Sequence, residues 1–128
     1  MATREYTVEN LIGGIKVVTW TGLLNGDVGK PFVSPQFADK CVQTEGDFGV
    51  GGACEIEGTN YTTPGNYRTL NDPQGNPLSV LTPKVEQILE NPYQLRPRVS
   101  SGDGTTDLTV KLLVSTPTAY DLFIPNSA

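Results

Sequence analysis

Glu55 and Glu57, with Arg96 and Arg98, are the residues whose types and spacing come closest to a chemical site. The members of each pair are two residues apart, so in an extended chain both project from one face. Two carboxylates on one face act as general acid and base when burial raises one pKa and leaves the other low. In "ACEIEG" (53–58), Cys54 and Ile56 take the opposite face, which puts Glu55 and Glu57 on the solvated side of a half-buried strand. Nothing there separates their pKa values. The arginines, on either side of Pro97, have a simpler role as partners of the two glutamates across a sheet. Glu86 and Glu90 recur at helical spacing, as the solvated face of a short helix. The sequence contains no histidine, so Ser-His-Asp chemistry, Cys-His chemistry and histidine-ligated metals are excluded. The expectation is a protein that is not an enzyme and holds no cofactor or metal.

A second candidate is "EGDFGVGGACEIEG" (45–58), with Gly46, Gly49, Gly51 and Gly52 close together. A dinucleotide fingerprint counted from Gly49 ends on Cys54, and no Gly-Lys-Ser/Thr triplet follows to make a P-loop. The residues that do follow alternate as a strand. The loop is therefore expected to be a hairpin bend near Val50, with Gly46 opposite Cys54. Cys41 then lies several residues away from Cys54, and both are expected as free thiols serving as small buried hydrophobes. Asp103 and Asp107 in "SGDGTTD" lack the oxygen series and closing glutamate of a calcium loop. A hairpin with a type I′ turn at Asp103-Gly104 accounts for them. Exposed aromatics on a β-sandwich suit carbohydrate binding. Trp20 lies in the most apolar segment and belongs to the core, whereas Tyr61 and Tyr67 flank a Pro-Gly turn and are expected at the surface.

The elements that must position these residues are mostly strands. Charged residues make up only 18% of the 128, and the chain has 14 glycines and 10 prolines, a composition of short strands and many turns. "IKVVTWTGL" (15–23) and "LTVKLLVS" (108–115) are the clearest strands, with others near 39–44, 53–59, 67–70 and 93–100. Pro97 implies an edge or a bulge in the last of these. In "TPKVEQILENP" (82–92), Thr82 caps, Pro83 suits the first helical position, and Val85, Ile88 and Leu89 share a helical face. The predicted fold is all-β: one domain over 1–128, an antiparallel β-sandwich, jelly-roll-like, with at most one short helix. Extended arms are expected at about 1–12 and 116–128.

Charge narrows the partners. Acidic residues outnumber basic ones 14 to 9, for a net charge of -5, which disfavours nucleic acid and anionic membrane surfaces. "MATREYTVEN" lacks the basic-then-apolar layout of a signal peptide. The termini carry apolar residues poorly suited to water: Tyr6 and Val8 at one end, Tyr120, Leu122, Phe123 and Ile124 at the other. With a rim around Tyr61 and Tyr67, these are the expected contacts to a neighbouring subunit or partner.

Three stretches carry a resemblance: "FADKCVQTEGDFGVGGACEIEGTN" (37–60), "LNDPQGNPLS" (70–79) and "RPRVSSGDGTTDLTVKLLV" (96–114). From about Val17 to Val114 the chain resembles the small all-β head decoration, or cement, proteins of tailed bacteriophages. Asp72-Pro73-Gln74-Gly75 and the run from Arg96 to Thr106 are its most specific pieces. The loop from Gly58 to Tyr67 departs from related chains, which often read Ser-Asn-Asp-Gly before an aromatic. Many relatives also stop soon after the strand ending at Val114. The resemblance implies a homo-dimer or homo-trimer on the outer surface of the capsid, assembled in the host cytoplasm and bound to the major capsid protein. It supplies no catalytic residues. The rival expectation is a carbohydrate-binding or adhesin module of a tail or fibre.

Overall fold

The computed structural model describes residues 1–115. Two sheets face each other. The first contains β1 (Thr3–Arg4), β4 (Val28–Gly29), β5 (Phe32–Val33), β7 (Ala53–Thr59), β8 (Arg68–Thr69), β9 (Ser79–Val80) and β11 (Gln94–Ser101). The second has the order β10 (Lys84–Gln87), β6 (Asp39–Asp47), β12 (Asp107–Ser115), β3 (Ile15–Leu24) and β2 (Tyr6–Asn10). In the first sheet β11 lies between β7 on one flank and the interrupted pair β4 and β5 on the other, while β8 and β9 share the far side of β7. Treat β4 with β5, and β8 with β9, as single broken strands, set β1 and β2 aside, and number the rest in chain order. The sheets then read 6-3-8-1 and 2-7-4-5, the strand order of a jelly roll.

Period-two alternation explains the core. In β12, Leu108, Val110, Leu112 and Val114 are buried while Lys111 and Leu113 face out. In β3, Val18 and Trp20 are buried, and a register shift against β12 lets Leu23 turn inward as well. Trp20 is fully buried, as expected, and its indole N–H donates to the Lys30 carbonyl at 3.0 Å. Opposite them lie Cys54, Ile56, Leu95 and Val99. Burying each Val, Leu or Ile side chain contributes roughly 1.5–3 kcal/mol, so the two inner faces hold the sandwich together.

Several expectations about connections are corrected. The loop 48–52 is not a hairpin bend: it carries the chain from β6 in one sheet to β7 in the other, and Gly46 pairs with Leu108 instead of Cys54. The segment 102–106 likewise crosses from β11 to β12. Gly104 does not take the positive φ a type I′ turn requires; the Thr106 N–H reaches the Asp103 carbonyl at 3.2 Å. The helix expected within 82–92 is strand β10, whose four residues pair with β6 from Lys84↔Thr44 to Gln87↔Cys41. Between Pro83 and Pro92 a helix has about two turns, too short to hold without tertiary support, and it would leave the β6 edge unpaired. Helical structure in the described residues is one 3-10 turn at Ile12–Gly14. Residues 3–10, expected as an arm, form β1 in one sheet and β2 in the other.

The strand β11 does carry a bulge, a register shift against β7 between Val99 and Ser101, but Pro97 itself occupies neither an edge nor that bulge. It faces Ile56, whose own N–H and carbonyl bond to Leu78 and Leu70 on the far flank. No bond from Pro97 is needed on that side, and on its other flank the partner strand is broken between Gly29 and Phe32.

Candidate functional site

The charged quartet sits on the outer face of the first sheet, in the register the sequence suggests: Arg96 faces Glu57 and Arg98 faces Glu55. Arg96 Nε donates to Glu57 Oε1 at 2.8 Å, Arg98 Nε to Glu57 Oε2 at 3.0 Å, and Arg98 Nη2 to Glu55 Oε1 at 3.3 Å. One expectation fails here. Glu57 is not on a solvated face but buried, because the Arg96 guanidinium lies over it and the Tyr67 ring lies 3.8 Å from that guanidinium. Glu55 is held below the usual carboxylate range, first by the Thr69 hydroxyl at 2.8 Å, a lowering that partial burial only partly offsets. Both acids are spoken for by cations and hydroxyls, which makes the quartet a brace between β7, β8 and β11.

The glycine-rich loop lies at one end of the sandwich with the connections 25–27 and 102–106. Its glycines are steric requirements. A Cβ at Gly52 would lie 1.8 Å from the Phe48 carbonyl oxygen, and one at Gly49, where φ is +68°, would lie 2.2 Å from Asp103 Oδ1. Asp103 knits the two crossovers together: it accepts from Val50 N at 2.8 Å and from Thr105 N at 2.9 Å. Those bonds hold its carboxyl down at about 2. Asp27, at the same end, accepts from Leu24 N, Arg4 Nε and Ala2 N at 2.8–2.9 Å. Burial raises its pKa, but these bonds outweigh burial and the net shift is downward. Of the loop's amides, Gly49 N donates to Asp47 Oδ1 at 2.9 Å and Val50 N to Asp103 Oδ2 at 2.8 Å, so carboxylates of the chain itself already take donors that a phosphate cradle would use.

Among the described residues the opposite end is open. Register places there the start of β6, the ends of β7, β10 and β12, and the start of β11. A cleft of about 500 Å³ runs between the 59–68 loop and the 90–92 segment, lined by Asn60, Tyr61, Asn66, Arg68, Glu90 and Asn91 over Leu70 and Pro92. Tyr61 is 58% exposed. Glu90 accepts from Asn71 N and Nδ2 at 2.8 and 2.6 Å, which more than offsets the upward push of burial and lowers its pKa. Beneath the cleft Lys40 is buried; its ammonium donates to the Phe37 carbonyl at 3.2 Å and to Asn91 Oδ1. Burial lowers its pKa, and Asp39 and Glu90 oppose that shift.

The surface residues expected from sequence are therefore split. Tyr61 is presented at the open end. Tyr67 is half-buried against Arg96, with a hydroxyl that lacks a hydrogen-bond partner among the described residues, so the two tyrosines form no shared platform. Tyr6 packs edge-on against Trp20 and Phe32, each ring 5.7 Å away, and Val8 remains 40% exposed on β2. Tyr120, Leu122, Phe123 and Ile124 lie outside the described residues. The cysteines are free, as expected, but only Cys54 is a buried hydrophobe, its thiol pushed up to about 12 by burial; Cys41, expected to be buried as well, is partly exposed because it falls on the outward-facing side of β6. Sequence reasoning missed Lys40 and the three asparagines. A lysine at an inward position of a strand was the available signal for the first.

No family model and no curated protein matches the sequence. Among solved structures, the fold is similar to SPBc2 prophage-derived protein YomS, with a TM-score of 0.60 and 17% identity over 84% of this chain and 100% of that one. A weaker likeness links it to KdgF from Halomonas sp., with a TM-score of 0.44 and 14% identity over 86% of this chain and 76% of that one. The likeness to the prophage-derived protein shows a shared all-β sandwich.

Proposed function

We propose that this chain is a structural phage protein of the decoration, or cement, class. It binds the outer surface of a head as a homo-dimer or homo-trimer and strengthens contacts between major capsid subunits, without catalysis. The observation that carries this reading is an apolar row on the outer face of the five-stranded sheet. Val17, Leu113 and Cys41 lie side by side across β3, β12 and β6, with Leu113 44% exposed and Val85 on β10 59% exposed nearby. The row flanks Ser115, from which the sequence continues to Tyr120, Leu122, Phe123 and Ile124. Exposed apolar side chains gathered in one row favour contact with another protein, which supports this reading. The resemblance in residues 17–114 and the prophage origin of YomS support the same reading.

Repeated attachment around a symmetric shell makes each weak contact count. Quantitative mass spectrometry of purified particles tests the proposal. A copy number close to that of the major capsid protein is expected. A handful of copies would move the chain to the tail or a fibre, and absence from particles would end the proposal. Removing residues 116–128 is expected to lower occupancy by about tenfold or more, with the sandwich still folded.

A further inference from the structure

We propose that the cleft at the open end is a saccharide-binding site, with Tyr61 as the stacking surface and Arg68, Asn60 and Asn91 as donors to ring oxygens. The inference stands apart from the capsid reading, since it concerns a different surface and needs only the isolated protein.

The loop that carries Tyr61 is preorganised. The Tyr61 N–H donates to Thr59 Oγ1 at 3.1 Å, and its carbonyl accepts from Gln94 Nε2 at 3.0 Å. The neighbouring Asn60 Oδ1 accepts from Tyr93 N at 3.0 Å. The backbone beneath an exposed ring is thus held by three hydrogen bonds. Binding to such a ring carries little ordering cost. An aromatic face with a polar tip suits a ligand whose own faces are C–H and whose rim is hydroxyl.

Donors outnumber acceptors in the cleft. Asn60 and Asn91 each spend their side-chain oxygen on a protein donor, Tyr93 N and the Lys40 ammonium. Neither amide nitrogen has a partner among the described residues. Arg68 gives one N–H to the Tyr67 carbonyl at 3.1 Å and has no carboxylate partner among the described residues. Glu90, the one carboxylate among the described lining residues, already accepts twice from Asn71. The cleft therefore offers fixed donors and a ring, and calls for a ligand rich in acceptor oxygens. Its volume, about 500 Å³, falls in the range of small-ligand sites.

Purified full-length protein is to be applied to an array of neutral and acidic oligosaccharides, with titration calorimetry on the best-retained one. Wild type is expected to retain a related set of glycans. Tyr61→Ala and Arg68→Ala are each expected to weaken binding by about tenfold or more, with unchanged thermal midpoints, because both side chains are exposed. Tyr67→Phe, outside the cleft lining, is expected to bind as wild type does. Retention of no glycan by the folded wild type overturns the proposal. So does binding that survives both cleft substitutions.

Discussion

The two ends of this sandwich solve the same problem in opposite ways. At both ends the chain must cross between sheets and satisfy backbone groups that no ladder reaches. At the glycine-rich end the crossovers are short and bond to one another: Asp103 accepts from Val50, Thr106 Oγ1 donates to the Phe48 carbonyl at 2.9 Å, and the Gly26 N–H reaches the Val99 carbonyl at 3.1 Å. At the other end the connections also touch, the Tyr93 N–H donating to Asn60 Oδ1 at 3.0 Å and the Ser34 N–H to the Tyr93 carbonyl at 2.9 Å, but the longer 60–67 loop leaves a cleft beside it, with donors that have no partner among the described residues, over a buried ammonium. A closed end is built from residues that permit close approach. An open end is built from residues that reach across a gap, and it is there that binding capacity collects.

The largest expected effect comes from forcing the closed end apart. Gly52→Ala sets a methyl group against the Phe48 carbonyl oxygen and is expected to destabilise by about 3 kcal/mol, read from urea unfolding. If the loop only spans a distance, the substitution will be nearly silent.

Acid distinguishes the ends next. The hydrogen bonds from Val50, then Thr105, hold the Asp103 carboxyl at about 2 against an ordinary 3.8. A carboxylate held below its unfolded value adds stability that is fully present above pH 3.8 and is lost as pH falls through about 2. In Asp103→Ala that contribution is missing at every pH. The gap between the urea midpoints of wild type and variant should therefore close across this window, with hydrogen exchange at Val50 accelerating in parallel.

Lys40 gives a smaller effect of opposite sign. Lys40→Met keeps the packed stem and removes a buried charge, so at neutral pH the variant should be as stable as wild type or more so. Because burial lowers the pKa of Lys40 in the folded protein, the wild type gains relative stability as pH rises toward the ordinary lysine value of 10.5. The advantage of the variant should shrink accordingly in alkaline urea titrations. At the open rim, Tyr61→Ala should change stability by less than about 0.5 kcal/mol, since that ring is 58% exposed. A larger loss would mean that the open end is braced by its aromatic after all.

The sequence makes faces more legible than neighbours. Alternation identifies β12 and β3 and puts Trp20 inside, and matching charges pair Arg96 with Glu57 and Arg98 with Glu55. Glycine clusters mark where the chain turns. They do not say whether it returns to the same sheet, and at 48–52 and 102–106 it crosses to the other one. The helix reading of 82–92 fails for a related reason. Val85, Ile88 and Leu89 fit a helical stripe, yet Ile88 alone is buried, and the vacant edge of β6 decides the matter. The cleft is hidden in the sequence because Asn60, Asn66 and Asn91 look like ordinary turn residues until the fold gathers them.

The placement of β12 carries a consequence for timing. It lies between β6 and β3 and pairs with both along almost its whole length, although it follows every other described strand in chain order. The ribosome delivers it after all its neighbours, so until it arrives neither β3 nor β6 can complete its pairing. Such long-range closure is slow, and it exposes sticky edges in the interval. For this chain, maturation is a race between the arrival of one late strand and the association of unfinished copies with each other.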